Sequence, residues 1–98
     1  MKTHELKIWP DFFSPIVTGE KTFELRKDDR GFKAGDVLWL REWGKGEYTG
    51  REIKKRVTYL LGGFGLEREY VCMALGELPS NVKLRGAPLL ARPARTPC

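Results

Sequence analysis

The 98-residue chain has few of the residues from which common catalytic and structural sites are built. It has one histidine, His4, which gives no support to a Ser–His triad or a histidine-based metal site. Its two cysteines, Cys72 and Cys98, are too few and too widely spaced for a disulfide scaffold or a zinc site. The aspartates within residues 28–36 accompany glycines and are more typical of turns than of metal ligands. We therefore expect neither a metal nor a cofactor.

The chain also lacks a long hydrophobic run. Its apolar stretches are only a few residues long, so no segment is predicted to span a membrane. The N-terminal sequence MKTHELKIWPDFF contains acids and a proline and lacks the uninterrupted apolar core of a signal peptide. The sequence therefore predicts a cytoplasmic protein that has no membrane partner.

Acidic residues are missing from the end of the chain. Residues 79–98 contain four prolines and four basic residues but no acid. Subtracting those four from the 18 basic residues of the chain leaves 14 against 13 acids in residues 1–78, a net charge of +1 out of a total of +5. The sequence thus predicts one nearly neutral domain over residues 1–78 and a basic, proline-rich, flexible tail over residues 79–98.

Short β-prone segments dominate the predicted domain. Apolar alternation and glycine-rich breaks predict the order β-α-β-β-β-β. The predicted strands cover residues 4–9, 22–27, 37–43, 52–61 and 69–78. This pattern predicts an α+β, mostly β fold, in which a small and mostly antiparallel barrel is capped by one N-terminal helix.

The predicted helix covers residues 10–18. Pro10 suits its first turn, where a missing N–H group costs nothing, and Gly19 suits its end. The sequence FFSPIV, residues 12–17, contains two apolar pairs four residues apart and predicts a broad apolar face. We therefore expect this helix to cover the barrel.

The predicted second strand raises the main functional question. Alternation places Phe23 and Leu25 on one face, which we expect to pack into the core. The other face carries Glu24 and Arg26, with Lys21 at the entrance to the strand. This charged face is either a salt-bridge cluster on a solvated surface or the wall of a ligand site. Spacing alone favours the solvated surface.

The predicted fourth strand combines an apolar face with a basic one. Alternation places four side chains on the core side, namely Ile53, Val57, Tyr59 and Leu61. The basic run at residues 54–56 could contact phosphates, but an exposed strand whose lysines protect a sheet edge is the favoured interpretation.

Aromatic residues are candidates for stacking on nucleic-acid bases. Trp39 lies within an alternating strand and is expected in the core. Trp9 and Trp43 lie at the ends of predicted elements, where partial exposure is expected. Phe64 stands between glycines in the segment GGFG, so it either anchors this loop in the core or closes over a ligand.

Residues 19–26, which read G-x-K-x-x-E-x-R after an N-terminal helix, resemble the signature of ASCH domains, a branch of the PUA-like superfamily. Residues 35–38 (GDVL), which open the next strand, are also ASCH-like. Three further segments resemble a small bacterial and phage branch of unknown function: 5–13 (ELKIWPDFF), 28–32 (DDRGF) and 47–53 (EYTGREI). The resemblance extends over about residues 3–77. It implies a pseudo-barrel of five or six strands, with a cleft between helix and barrel that Lys21, Glu24 and Arg26 line.

The same resemblance implies a function. PUA-like relatives bind RNA, and several branches of the superfamily bind modified bases. The chain is therefore expected to be a non-enzymatic module for RNA or a modified nucleotide. The expected ligand residues are the three of the cleft, Lys21, Glu24 and Arg26, and three aromatic residues: Trp9, Trp43 and Phe64.

An enzyme is the first alternative. Some ASCH proteins hydrolyse N4-acetylcytidine and resemble G-x-K-T-x-T-x-R, with the second threonine as nucleophile. Glu24 occupies that position here, and Ala74 lies near the position of an acidic residue that those enzymes use. An amidohydrolase acting on N4-acylated cytidine would need Lys21 as base and Thr22, or a water activated by Glu24, as attacking group.

A protein-interaction module is the second alternative. In that case the chain would be a phage factor that targets a host protein, and the exposed aromatic residues would matter more than the charged cleft. The chain is expected to be a monomer in either case.

Overall fold

One short helix and five strands make up the part of the chain that the computed structural model describes, residues 1–78. The predicted tail, residues 79–98, lies outside the described residues. The elements are β1 (Thr3–Ile8), α1 (Pro10–Thr18), β2 (Phe23–Lys27), β3 (Val37–Gly44), β4 (Glu47–Gly62) and β5 (Tyr70–Gly76). The predicted element order is confirmed.

The β3–β4 connection is shorter than the sequence suggested. Lys45 and Gly46 have φ angles of 56° and 81°, the left-handed conformation that two-residue hairpin turns require. Because the turn needs only these two residues, β4 begins at Glu47 and is 16 residues long.

The helix uses a narrower apolar face than predicted. Phe13 and Ile16 are buried against the sheet, whereas Phe12 and Val17 remain 49% and 48% exposed. Gly19 ends the helix with a φ of 90°, and its N–H donates to the carbonyl oxygen of Ile16 at 3.2 Å. One side of the helix therefore covers the core, and another apolar side is left at the surface.

The five strands form one sheet in the order β1-β3-β4-β5-β2, which curls into a half-barrel. β1 and β3 are parallel, and all other neighbours are antiparallel. The first part of β4 pairs with β3, and its last part pairs with β5. The core inside this curl includes Leu6, Phe13, Ile16, Leu38, Leu40, Val57 and Met73. The mostly β pseudo-barrel with one helix is confirmed.

Two arginine side chains connect edge strand β1 to edge strand β2 and to the loop that follows β2. Nη2 of Arg26 donates to the carbonyl oxygen of Lys7, and Nη1 of Arg30 donates to that of Glu5 at 2.9 Å. These carbonyl groups face away from β3, on the open edge of β1, where backbone partners would otherwise be needed. At these two points the barrel is therefore held by side chains, and we call this junction of β1 and β2 the seam.

A register shift in β4 reverses the predicted orientation of its last residues. Val57 pairs with Leu75, but Tyr59 already pairs with Ala74. The extra residue is a β-bulge, which moves the following side chains to the opposite face. Tyr59 and Leu61, predicted to lie on the core side, are 65% and 39% exposed. That prediction was wrong because alternation does not reveal a bulge.

Two further predictions for β3 and β4 are corrected. Trp39 is only half-buried, and its Nε1 donates to Glu52 on the outer face of the sheet at 2.6 Å. Lys55 is buried and its Nζ lies 2.8 Å from Oε2 of Glu77. Of the basic run, Arg56 has partners in both β3 and β5, whereas Lys54 and Lys55 pair with β3 alone.

Candidate ligand-binding cleft

The two faces of β2 point in the opposite directions to those expected. Phe23 and Leu25, predicted to enter the core, are 45% and 49% exposed, whereas Glu24 is only 5% exposed. Arg26 faces the same way as Glu24 and reaches across the seam. The charged face of edge strand β2 therefore points inward. Arg26 donates to the backbone of β1 across the seam, and Glu24 is paired with Lys21 and Arg26. The charged face is not a solvated surface.

Glu24 lies between two cations. Its Oε1 is 3.1 Å from Nζ of Lys21, and its Oε2 accepts a hydrogen bond of 2.7 Å from Nε of Arg26. Lys21 also donates to the carbonyl oxygen of Phe23 at 2.9 Å. A buried carboxylate is stable only when it is paired and hydrogen-bonded in this way. Two cations against one carboxylate leave the cluster with a local charge of +1.

Glu24 and Arg26 of this cluster line a cleft of about 240 Å³, whereas Lys21 lies outside its lining. The lining residues come from the end of β1, the start of α1 and β2: Lys7, Ile8, Trp9, Phe12, Glu24, Leu25 and Arg26. This volume is below the range of about 300–1,000 Å³ that holds drug-sized ligands. The cleft therefore has room for a single planar ring system and is open to solvent.

The aromatic wall of the cleft follows from the tight β1–α1 junction. Trp9 has an extended backbone and caps the helix, and its carbonyl oxygen accepts from the N–H of Phe12 at 3.0 Å and of Phe13 at 2.9 Å. The helix can approach β3 closely at Gly44, where a Cβ atom would lie 3.1 Å from Cγ of Pro10. This arrangement leaves Trp9 61% and Phe12 49% exposed at the cleft.

Sequence reasoning did not identify Phe12 as a cleft residue. Its ring centroid lies 5.6 Å from Nζ of Lys21, and the ring of Phe23 lies 4.8 Å from the same atom. The available signal was the width of the apolar face at residues 12–17, since one side of a short helix is enough to cover a small core. An apolar residue left over from core packing is a candidate for a site.

Trp43 and Phe64 lie outside the cleft lining. Trp43 is half-buried on the outer face of the sheet, where Nζ of Lys7 lies 3.9 Å from its ring centroid and Tyr48 packs edge-on at 4.9 Å. Phe64 is 90% exposed in the β4–β5 loop, so it does not anchor that loop in the core. Of the three predicted stacking residues, only Trp9 lies in the cleft.

The residues of the alternative enzyme are placed as follows. Thr22 is exposed, and its carbonyl oxygen accepts a hydrogen bond from Leu75 at 2.9 Å. The neighbour of Glu24 on β5 is Met73, which is fully buried. Ala74 pairs with Phe23 on the outer face. β5 therefore brings no acidic side chain to the cleft.

Two other buried carboxylates belong to the scaffold. Burial opposes ionisation of Asp36, but hydrogen bonds from His4 and from the backbone of Lys2 and Lys33 outweigh it and lower the pKa to about 2. A hydrogen bond from Arg51 lowers the pKa of Glu42, with a smaller opposing effect of burial.

The Glu42 pair also helps to hold the helix in place. Arg51 makes two hydrogen bonds of 2.9 Å to Glu42 and one of 3.3 Å to the hydroxyl of Ser14 in α1. Its guanidinium lies 4.9 Å from the ring centroid of Phe13. These contacts fix the helix that carries one wall of the cleft.

Within residues 1–78, no group of three or more His, Cys, Asp or Glu side chains is arranged to hold a metal ion. Over the same range, the helix that is present is too short to cross a membrane.

Comparison with known proteins places the cleft within a family. The family described as "Domain of unknown function (DUF3850)" matches residues 3–75. The chain belongs to this family. A relative from Escherichia phage P2, the "Uncharacterized 12.9 kDa protein in GpA 3'region", is 40% identical over 86 residues, which cover 85% of this chain and 79% of the relative. The DUF3850 match includes all the cleft residues, and the predicted relationship to a small phage branch of unknown function is confirmed.

Proposed function

We propose that this DUF3850 chain is an ASCH-type, non-enzymatic module whose cleft binds one nucleobase, either in RNA or as a modified nucleoside. The observation that supports the proposal best is the buried Glu24, held between Lys21 and Arg26 beside two exposed aromatic rings. Charged and aromatic groups converge there in a space suited to one base.

The groups of the cleft match the chemistry of a base edge. A carboxylate has about four lone-pair positions, and the hydrogen bonds from Lys21 and Arg26 occupy two of those of Glu24. The remaining positions can accept from an exocyclic amino group, and the cations can donate to a carbonyl or phosphate oxygen. Trp9 and Phe12 offer ring faces on which a base can stack.

A purely structural role for the charged cluster is the competing explanation. Closing the seam with apolar side chains would avoid the desolvation of Glu24, and buried ion pairs are often no more stabilising than apolar replacements. The presence of a carboxylate at position 24, where an apolar side chain would avoid this cost, therefore supports a role of Glu24 in binding a ligand. The exposed Trp9 and Phe12 beside it support the same conclusion, since they contribute little to the core.

The charge of the domain limits the expected affinity for nucleic acid. Residues 1–78 carry a net charge of +1. Few phosphate contacts release few counterions, so binding to RNA by this domain is expected to weaken only slightly as salt rises. Base-edge recognition would then contribute more than phosphate attraction.

The test is a titration followed by amide and indole NMR signals of the full chain. The ligands are the four ribonucleosides, N4-acetylcytidine and a short single-stranded RNA. We expect one of them to shift signals from residues 21–26 and the indole of Trp9. Silence of these signals with every ligand would reject the proposal, and signals of a deacylated product would favour the amidohydrolase.

Two matched pairs of variants separate recognition from folding. Glu24→Gln keeps the shape of the side chain and is expected to weaken binding at least about tenfold, whereas Glu47→Gln changes an exposed acid and leaves it unchanged. Trp9→Ala is expected to weaken binding by a similar factor. Phe64→Ala removes an exposed ring in the β4–β5 loop, outside the cleft lining, and serves as its control.

A further inference from the structure

The outer surface of β2, β5 and the end of β4 is a continuous apolar face. Two cross-strand rows run over the three strands: Phe23–Ala74–Tyr59 and Leu25–Cys72–Leu61. Tyr70 extends the face at the next outward position of β5. No charged side chain lies within the two rows. We call these seven residues the apolar face.

The apolar face is well exposed. Its larger side chains are exposed to 65% at Tyr59, 49% at Leu25, 45% at Phe23, 39% at Leu61 and 36% at Tyr70. With about 200 Å² for an aromatic side chain, these fractions amount to an apolar area on the order of 400 Å². Single exposed apolar residues need no explanation, but a contiguous patch of this size marks an interaction site.

The remaining outer surface of the sheet is different. On β1, β3 and the start of β4, the rings of Trp39, Trp43 and Tyr48 each have a lysine or arginine head group within 3.9 to 5.3 Å of their centroids. Those rings are covered by charged side chains of the same chain. Within residues 1–78, Phe23 is the member of the apolar face that has such a neighbour, Nζ of Lys21 at 4.8 Å. The rings of Tyr59 and Tyr70 have none, so the exposure of the face is greatest on β4 and β5.

We propose that the apolar face is a homodimer interface and that a second copy of this chain occupies it. In a two-fold symmetric contact the same patch faces itself, so like charges would repel each other. The two rows carry no charge and meet the same rows of a copy without this penalty, and the exposed Lys27 lies beside Tyr70 at the border of the face. The inference differs from the sequence-based expectation of a monomer and does not depend on nucleobase binding.

The size of the face agrees with a small dimer interface. Homodimer interfaces are about 65% apolar, so an apolar area on the order of 400 Å² corresponds to roughly 600 Å² per partner. The total of roughly 1,200 Å² lies at the lower end of stable interfaces.

Cys72 supplies a probe of this contact. It lies in the middle strand of the face, between Leu25 and Leu61 in the second row. Near a two-fold axis that passes through the face, the two copies of Cys72 approach each other. A disulfide forms when their Cα atoms come within about 4.4–6.8 Å. The proposed dimer can therefore be trapped through a natural residue.

Sedimentation of the reduced full chain from about 1 µM to about 1 mM is the first experiment. We expect a concentration-dependent dimer. Tyr59→Lys and Leu61→Lys place a charge on the face and are expected to raise the dissociation constant more than about tenfold. Val17→Lys, on α1, changes a side chain of comparable exposure and is expected to leave it unchanged. All three positions are solvent-exposed, so the variants are expected to fold.

Trapping of Cys72 is the second experiment. A Cys98→Ser chain, which keeps Cys72, is oxidised mildly, and a covalent dimer is expected whose yield falls at least about fivefold in Tyr59→Lys. A chain that stays monomeric up to about 1 mM overturns the proposal. If Cys72 of that monomer reacts freely with an alkylating reagent, the face is uncovered. If Cys72 is protected, residues 79–98 of the same chain cover it.

Discussion

Arg26 contacts Glu24 and Lys7 at the same time. Its Nε donates to Oε2 of Glu24 at 2.7 Å, and its Nη2 donates to the carbonyl oxygen of Lys7 on the other side of the seam. One guanidinium therefore orients the carboxylate of the cleft and joins the two edge strands. A lysine at this position would have one nitrogen atom for both acceptors, whereas the planar fork of an arginine directs separate nitrogen atoms at each of them.

Arg26→Lys is expected to lower the free energy of unfolding by about 1–3 kcal/mol. The loss comes from the seam contact and from the weakened pairing of a buried carboxylate. Chemical denaturation measures it. Arg30→Lys is the control, since Arg30 bonds to Glu5 at the seam but does not contact Glu24. Equal losses in the two variants would contradict the double role of Arg26.

The orientation of β2 can be tested by two truncations. Met73→Ala removes a fully buried side chain beside Glu24 and is expected to lower the free energy of unfolding by about 2–5 kcal/mol. Leu25→Ala removes one that is 49% exposed and is expected to lower it by about 1 kcal/mol or less. Denaturation of both proteins measures the difference. A larger effect at Leu25 would mean that alternation had predicted the buried face of β2 correctly.

Asp36 is expected to make stability depend on pH in acid. Its pKa is lowered in the folded protein from 3.8 to about 2, so its contribution is present above pH 3.8 and is lost as the pH falls towards 2. Asp36→Asn is expected to flatten this part of the profile of unfolding free energy against pH. Asp29→Asn, at an exposed acid, should retain the wild-type slope. An unchanged slope in Asp36→Asn would remove this carboxyl from the acid response.

Gly44 is expected to control the distance between α1 and β3. In Gly44→Ala the new Cβ would lie 3.1 Å from Cγ of Pro10, which is closer than ordinary contact and moves the helix. We expect a loss of about 1–3 kcal/mol in the free energy of unfolding. Gly62→Ala is the matched control, because its nearest atoms would be at 3.7 Å. Similar losses at both positions would show that helix spacing is not the cause.

The sequence was sufficient for the element order and for the helix ends. Pro10 lacks an N–H group and has a fixed φ that suits a first helical turn, and Gly19 readily adopts the positive φ that ends a helix. Both effects are local, so the sequence alone predicts them. The G-x-K-x-x-E-x-R pattern also identified the three charged residues that come together. These features depend on near neighbours in the chain.

The errors arose where tertiary contacts overrode a local pattern. In β2, alternation alone assigned Leu25 to the core. In the structure Arg26 points inward instead, because its guanidinium donates to the carbonyl oxygen of Lys7 across the seam. In β4, one extra residue after Val57 turned Tyr59 outward. Phe12 was missed because the helix was assumed to bury its whole apolar side. Each case requires knowledge of which strands become neighbours.

The guanidinium of Arg26 on β2 reaches the backbone carbonyl oxygen of Lys7 on β1, so a side chain makes this connection in place of a hydrogen bond between two backbones. Regions with few backbone hydrogen bonds open locally at lower free energy than the rest of a fold. We therefore expect the β1–β2 junction to open locally while the rest of the domain stays folded. A ligand that contacts both strands in the cleft would hold the junction closed while bound. The melting temperature of the domain would then rise with the ligand concentration. The proposed binding of a base and the local opening of the junction would then both depend on Arg26.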